Sequence, residues 1–228
     1  MLAKAPALAA AAALVAAGVV CAVPGTATAT ADCENGYVAL TYDDGPTEKF
    51  TPALLSTLEE NGVRATLFNI GQNAEKNPSQ AAAQKSAGMW IGNHSWSHPH
   101  MPKLSEQEMR SQLQRTQQAI ERLTGTTPEL FRPPYGETDA TVGEVAEELG
   151  LTEIIWDVDT RDWSGRSADQ IVADVATARG GDVVLMHDGY PATVEAVPRI
   201  VADLHERGLC AGMISPGTGR AVEPDAGP

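Results

Sequence analysis

The sequence is short of positive charge, of cysteine, and of the serine turn on which a large class of hydrolases is built. Only 16 Lys and Arg stand against 30 Asp and Glu in 228 residues, a formal charge of −14. No Lys/Arg cluster breaks that excess, so nucleic acid and anionic lipid surfaces are disfavoured and a neutral or weakly charged ligand fits better. No Gly-x-Ser-x-Gly elbow occurs, which removes support for a Ser-His-Asp esterase. The 3 cysteines carry no pattern of a nucleophile or of a thiolate metal site. Internal repeats and interdomain linkers are also missing, so one domain is expected.

The one long apolar run lies at the start. Lys4 precedes a stretch over residues 5–23 dominated by Ala, Val and Leu, and Ala29-Thr30-Ala31 supplies a small-residue cleavage site. This reads as a secretory leader over residues 1–31. A membrane anchor is the alternative, but alanine is a weak membrane inserter. Cys21 does not suggest a lipoprotein, because Val19 and Val20 lack the small side chains such a site needs. Residues 32–215 then form the domain, with a loose tail over 216–228. Loss of Lys4 leaves 15 cations against 30 acids, or −15. Cleavage also leaves two cysteines, Cys33 and Cys210. In an oxidising compartment such a pair reads first as a disulfide, with two buried thiols as the alternative.

Short strand-like runs alternate with helical ones. Strands are expected at Tyr37 to Thr41, Ala65 to Ile70, Met89 to Gly92, Leu130-Phe131, Leu151 to Trp156, Val183 to Met186 and Cys210 to Ile214. Helical periodicity is clearest from Ser105 to Leu123, where Ser105 and Glu108 form a capping-box pattern. Ser167 and Gln170 repeat that pattern before Ile171 to Ala178, and Thr193 to Arg207 carries another apolar stripe. Alternation of this kind implies a parallel α/β sheet, open or closed into a barrel.

The chemically capable residues fall just after the strands. Asp43 and Asp44 follow the first, His94, His98 and His100 the third, and Arg132 the fourth. Asp157, Asp159, Asp162 and Trp163 follow the fifth, and His187 the sixth. The C-terminal strand ends of a parallel sheet share one face, so these segments should converge there. His94 and His98, four apart, can reach one metal ion, and two imidazoles with one carboxylate suit a borderline metal such as zinc. His100, beyond Pro99, is left to a surface or supporting role.

Each of these residues has a plainer alternative. Asp43 and Asp44 diverge, so one carboxylate can bind metal while the other accepts a proton; alone they could be solvated or capping residues of a turn. His187 is either a satisfied core histidine or a general acid at the functional face. Arg132 has a rival role in a structural ion pair, and Asp157 and Asp159 can satisfy local backbone groups. Trp163 fits the core or a sugar ring.

Five segments in order resemble the polysaccharide deacetylase family, the NodB-like domain of carbohydrate esterase family 4. They are Thr41-Tyr42-Asp43-Asp44-Gly45-Pro46, His94-Ser95-Trp96-Ser97-His98, Arg132-Pro133-Pro134-Tyr135-Gly136, Asp159-Thr160-Arg161-Asp162-Trp163 and Leu185-Met186-His187. Tyr42 is the one departure, where Phe is commoner, and it does not bear on the chemistry. The resemblance implies a distorted (β/α) barrel with about seven parallel strands. It implies one divalent metal ion, zinc with cobalt or nickel as substitutes, on Asp44, His94 and His98. Asp43 would be the catalytic base, Arg132 its orienting partner, His187 the general acid and Asp162 the residue that tunes it. The Tyr135 backbone N–H would meet the oxyanion, and Leu185 and Trp163 would line the acetyl pocket.

The stretches His94 to Met101, Phe131 to Thr138 and Met213 to Ser215 are similar to secreted bacterial acetylxylan esterases. The expectation is a secreted, monomeric deacetylase, free of the membrane after cleavage, acting on an acetylated polysaccharide or oligosaccharide. O-acetyl esters of xylan rank first and N-acetyl groups of chitin oligomers second. Peptidoglycan ranks lower because the acidic surface opposes an anionic wall polymer. A non-catalytic carbohydrate-binding protein would be expected to have lost Asp43 or a ligand, and neither is missing. A small-cyclic-amide amidase fits poorly with export and Trp163.

Overall fold

The structure is a computed structural model that describes residues 1–2 and 33–224. Nearly all of the expected leader, and residues 225–228 of the expected tail, lie outside the described residues. The chain runs β1 (Tyr37–Asp43), α1 (Thr51–Glu60), β2 (Thr66–Asn69), α2 (Gly71–Lys76), α3 (Pro78–Ser86), β3 (Trp90–Asn93), α4 (Glu106–Thr124) and β4 (Leu130–Phe131). It continues with α5 (Ala140–Glu148), β5 (Thr152–Glu153), β6 (Val158–Asp159), α6 (Ala168–Val175), β7 (Val183–His187) and α7 (Pro191–Glu206). Three two-residue strands follow, β8 (Cys210–Ala211), β9 (Met213–Ile214) and β10 (Ala221–Val222).

Seven strands pair in parallel in the order β5-β4-β3-β2-β1-β7-β6 and curl into a half-barrel with helices. This is the expected distorted barrel. β8 adds in parallel to the start of β1. The period of two within each strand sorts side chains between two cores. From β1, Val38, Leu40 and Tyr42 point outward into a cluster with Leu54 and Leu58 of α1, Ile171 of α6 and Ile200 of α7; Val184 and Met186 of β7 join it. The alternate residues Ala39 and Val183 face inward with Phe68, Leu130 and Ile154. Burial of one such Leu or Phe side chain contributes about 1.5–3 kcal/mol. The inward row of β1 therefore runs Ala39, Thr41, Asp43, and that of β7 runs Val183, Leu185, His187. Each ends on a reactive group at the same rim, because Asp43 and His187 are register partners.

α4 begins where its capping box does: the Ser105 side chain accepts from the Glu108 N–H while Glu108 accepts from the Ser105 N–H at 2.8 Å. It stops at Gly125, which adopts the left-handed conformation. The strand expected over Leu151 to Trp156 is cut short at Glu153, and a separate strand follows it at Val158–Asp159. Thr152 and Glu153 pair with β4, whereas the Asp157 N–H donates to the Val183 carbonyl and Val158–Asp159 pair with β7. The intervening residues cross from one edge of the sheet to the other, so they cannot stay in one ladder.

The strand expected over Cys210 to Ile214 is also split, at Gly212. A Cβ there would lie 2.4 Å from the Val222 carbonyl oxygen. Residues 216–222, expected to be loose, turn back so that Ala221–Val222 pair antiparallel with Met213–Ile214. Arg220 then bridges Asp157 at 3.0 Å and Asp182 at 3.1 Å. The tail is held because Ala221 and Ile214 fill the barrel interior. Cys33 and Cys210 are joined as a disulfide. No described helix is long and apolar enough to cross a membrane.

Candidate active site

The strand ends converge on a cleft of about 450 Å³ lined by Asp43, Asp44, His94, His98, Tyr135, Trp156, Trp163, Leu185 and His187, with Pro133 and Asp159 completing the wall. Several of these residues hold backbone shapes that L side chains avoid. Among the described residues the non-glycine positive φ values are Asp44 (71°), Ser95 (62°), His98 (57°), Tyr135 (61°) and Arg161 (50°). All five sit in the loops that follow these strands. Such conformations persist only where the surroundings over-determine them, and they cluster at functional sites.

Asp44, His94 and His98 come together with one donor atom from each within 4.8 Å of the others. Asp44 Oδ1 lies 3.5 Å from His94 Nε2 and 3.4 Å from His98 Nε2. His94 Nδ1 is 2.7 Å from the Arg132 carbonyl, which can only accept, so Nδ1 carries the proton and Nε2 a lone pair. Burial lowers His94 to about 3, keeping the ring neutral at neutral pH. Asp44 Oδ1 is buried yet accepts no hydrogen bond. An imidazole lone pair facing a carboxylate oxygen with no proton between them is unfavourable unless a cation separates them. The donor set therefore fits a divalent cation of the borderline class.

Asp43 stands beside this cluster, with its Oδ2 3.7 Å from His94 Nε2. Its Oδ1 accepts from Arg132 Nη1 at 2.8 Å, and both side chains are buried. Arg132 is itself held: Nη1 donates to Thr41 Oγ1 at 2.7 Å, and its guanidinium lies over the Phe68 ring at 4.2 Å. Burial pushes the Asp43 carboxyl above the usual carboxylate range, against the pull of Arg132 and then His187. Opposite, His187 Nδ1 bonds Asp162 Oδ1 at 2.7 Å. Asp162 is locked by the His187 N–H at 2.8 Å and Thr193 Oγ1 at 2.6 Å. Burial disfavours the imidazolium, but the bond to Asp162 and the charges of Asp43, Asp162 and Asp44 outweigh it, so His187 is raised above the usual histidine value.

Tyr135 and Trp163 stand at the mouth, 57% and 54% exposed, while Leu185 is buried in the wall. The Tyr135 ring meets His98 edge-on at 4.5 Å and stacks on His100 at 4.4 Å. His100 bonds Glu137 at 2.8 Å and is outside the three-residue cluster. Asp157 also points away, accepting from the Val183 N–H and from Arg220.

Trp156 was not singled out from the sequence, although an aromatic residue directly before Asp157 was a usable signal. Its ring packs so tightly on Gly136 that a Cβ there would lie 2.6 Å from it. Thr193 and Asp188 left no signal, since a lone Thr or Asp near a helix start reads as a cap.

A family model described as Polysaccharide deacetylase matches residues 31–154. The chain is 43% identical over 194 residues to a bifunctional xylanase/xylan deacetylase of Cellvibrio japonicus, covering 84% of this chain and 29% of that protein. It is 40% identical over 175 residues to the peptidoglycan-N-acetylglucosamine deacetylase PgdA of Listeria monocytogenes, covering 76% and 37%. The chain thus spans well under half the length of these two relatives. Among solved structures, a family 4 carbohydrate esterase from Streptomyces lividans in complex with acetate superposes with a TM-score of 0.82 at 56% identity, over 84% of this chain and 99% of that one.

Proposed function

Because this chain belongs to the polysaccharide deacetylase family, we propose that it is an exported, metal-dependent enzyme that hydrolyses acetyl groups from a glycan, with O-acetyl esters of xylan as its substrate. The observation that carries the reading is the buried, undonated Asp44 oxygen between two imidazole nitrogens at 3.5 and 3.4 Å. Asp44, His94 and His98 would hold the cation, zinc with cobalt or nickel able to substitute. When bound, it supplies positive charge that polarises the acetyl carbonyl and makes a water easier to deprotonate.

The chain's own groups do the rest. Asp43, oriented by Arg132, whose charge favours the carboxylate against burial, takes a proton from the attacking water. The Tyr135 backbone N–H donates to the oxygen on which charge develops, and loss of one such donor typically costs about 100- to 1000-fold in rate. His187, charged with the help of Asp162, gives a proton to the departing sugar oxygen. Leu185 and Trp163 enclose the methyl group, and Trp156 walls the cleft beside them.

Three features favour xylan: the likeness to a xylan deacetylase, the acidic surface, and a cleft open at Tyr135 and Trp163 for neutral sugars. The likeness to a peptidoglycan deacetylase supports the amide reading, in which His187 protonates nitrogen. Residues 1–31 read as a cleaved leader, in keeping with a disulfide that needs an oxidising compartment. The test is acetate release from acetylxylan, chitin oligomers and peptidoglycan, before and after chelator treatment and zinc return. Release from xylan that chelation abolishes and zinc restores is expected. No acetate from any of the three after zinc return would sink the enzyme reading; release from peptidoglycan alone would replace the substrate.

A further inference from the structure

One buried carboxylate beside the cleft has no part in the steps above. Asp188 directly follows His187 and is 2% exposed. Its Oδ2 accepts from Thr51 Oγ1 at 2.5 Å and its Oδ1 from Thr47 Oγ1 at 3.4 Å. With both hydroxyl protons committed to Asp188, the hydroxyl oxygens turn their lone pairs to the backbone. Thr51 Oγ1 accepts from the Thr47 N–H at 2.7 Å, and Thr47 Oγ1 accepts from the N–H groups of Phe50 at 3.0 Å and Thr51 at 3.2 Å. The Asp188 N–H donates to the Asp43 carbonyl at 2.8 Å. Its carboxylate also presses on Gly45, where an added Cβ would lie 2.6 Å from Oδ2. Burial lifts the Asp188 carboxyl to about 6, with Thr51 and Thr47 pulling it down, so it is mainly an anion at neutral pH and able to accept both protons.

The turn that these bonds hold is the one in which Asp44 adopts φ 71°, a shape that a non-glycine residue keeps only under constraint. From the other side, Asn73 Nδ2 donates to the Asp44 carbonyl at 2.7 Å and the Ile70 N–H to the Gly45 carbonyl at 3.0 Å. We propose that Asp188 is a positioning residue: through Thr47 and Thr51 it clamps the Asp43–Gly45 turn so that Asp43 and Asp44 diverge toward Arg132 and toward His94 and His98. The inference rests on the reading of Asp44 as a metal ligand. It assigns Asp188 no contact with substrate.

The test uses the whole mature chain and three variants, Thr51→Val, Asp188→Asn and Thr51→Ser. Thr51→Val removes the hydroxyl at nearly constant volume, Asp188→Asn leaves one acceptor where two are needed, and Thr51→Ser keeps the bond. Hydrogen exchange over residues 43–51 and zinc titration of chelator-stripped protein are the two readouts. Thr51→Val and Asp188→Asn should speed exchange over 43–51 at least tenfold while α4 exchanges as before, and should weaken zinc binding at least fivefold. In both, kcat should fall with KM within twofold, and Thr51→Ser should stay near wild type in every readout. Wild-type exchange over 43–51 in Thr51→Val and Asp188→Asn overturns the proposal, as does faster exchange with unchanged zinc affinity, or Thr51→Ser behaving like Thr51→Val. A wild-type chain that bound no zinc and released no acetate would sink the functional reading instead, and exchange over 43–51 alone would then decide the role of Asp188.

Discussion

Replacing Arg132 with methionine removes one charge from the buried pair with Asp43 and keeps most of the side chain's length. Arg132 is fully buried and Asp43 nearly so, 2.8 Å apart. Taking away one partner of such a pair costs about 3–5 kcal/mol, because the remaining charge is left without solvent or counter-ion. For a domain of this size each kcal/mol moves Tm by roughly 2–4 °C, so a loss of about 6–20 °C is expected at pH 8.

The sign of the pH dependence follows from Asp43, whose folded pKa already lies above its unfolded one because burial outweighs Arg132. Without the guanidinium it rises further. The folded variant then binds the Asp43 proton more tightly than the unfolded chain does. Its deficit is therefore full above the raised pKa and shrinks as pH falls through it.

Calorimetric melts from pH 8 to pH 4, in chelator so that no cation contributes, read this directly. Turnover should fall, because Asp43 loses its orienting partner and its carboxylate form is disfavoured further, and should recover in part as pH rises. Adding Asp43→Asn to Arg132→Met should cost less than the two single changes together. A Tm deficit that is flat across the pH range, or that stays under about 2 °C at pH 8, would refute the reasoning.

Asp43→Asn should bind zinc as wild type does while losing turnover by about 100-fold or more, whereas His94→Ala should lose both; calorimetric titration beside acetate release separates them. His187 is held above the ordinary histidine value with the help of Asp162, and a general acid works only while protonated. Asp162→Asn should therefore move the alkaline limb of the kcat/KM profile to lower pH, and an unmoved limb would count against His187 as the acid. The Cys33–Cys210 bridge spans 177 residues, which corresponds to about 5 kcal/mol in the chain-entropy model. The double Cys→Ser variant should melt roughly 10–20 °C lower, measured without reductant against the oxidised chain.

Much of the architecture could be read locally. The continuous apolar run Val183 to Met186, the capping boxes at Ser105 and Ser167, and the polar residues that follow several apolar runs are short-range patterns set by backbone geometry. They announce strands, helix starts and a functional rim without a partner being known. The five ordered motifs added the family and with it the barrel.

Tertiary structure alone decided what each group meets. Arg132 reaches Asp43 across 89 positions of sequence, and Thr51 reaches Asp188 across 137. Leu151 to Trp156 looks like one strand until the sheet order shows the chain after Glu153 crossing between the sheet's edges, which brings Trp156 into the cleft. The tail after Ser215 is polar and rich in Gly and Pro, yet Ala221 is buried beside Ile214 because the barrel interior left apolar space for it. Periodicity says which way a side chain faces; only the assembled sheet says what stands opposite, because that depends on strand order and distance rather than on neighbours in the chain.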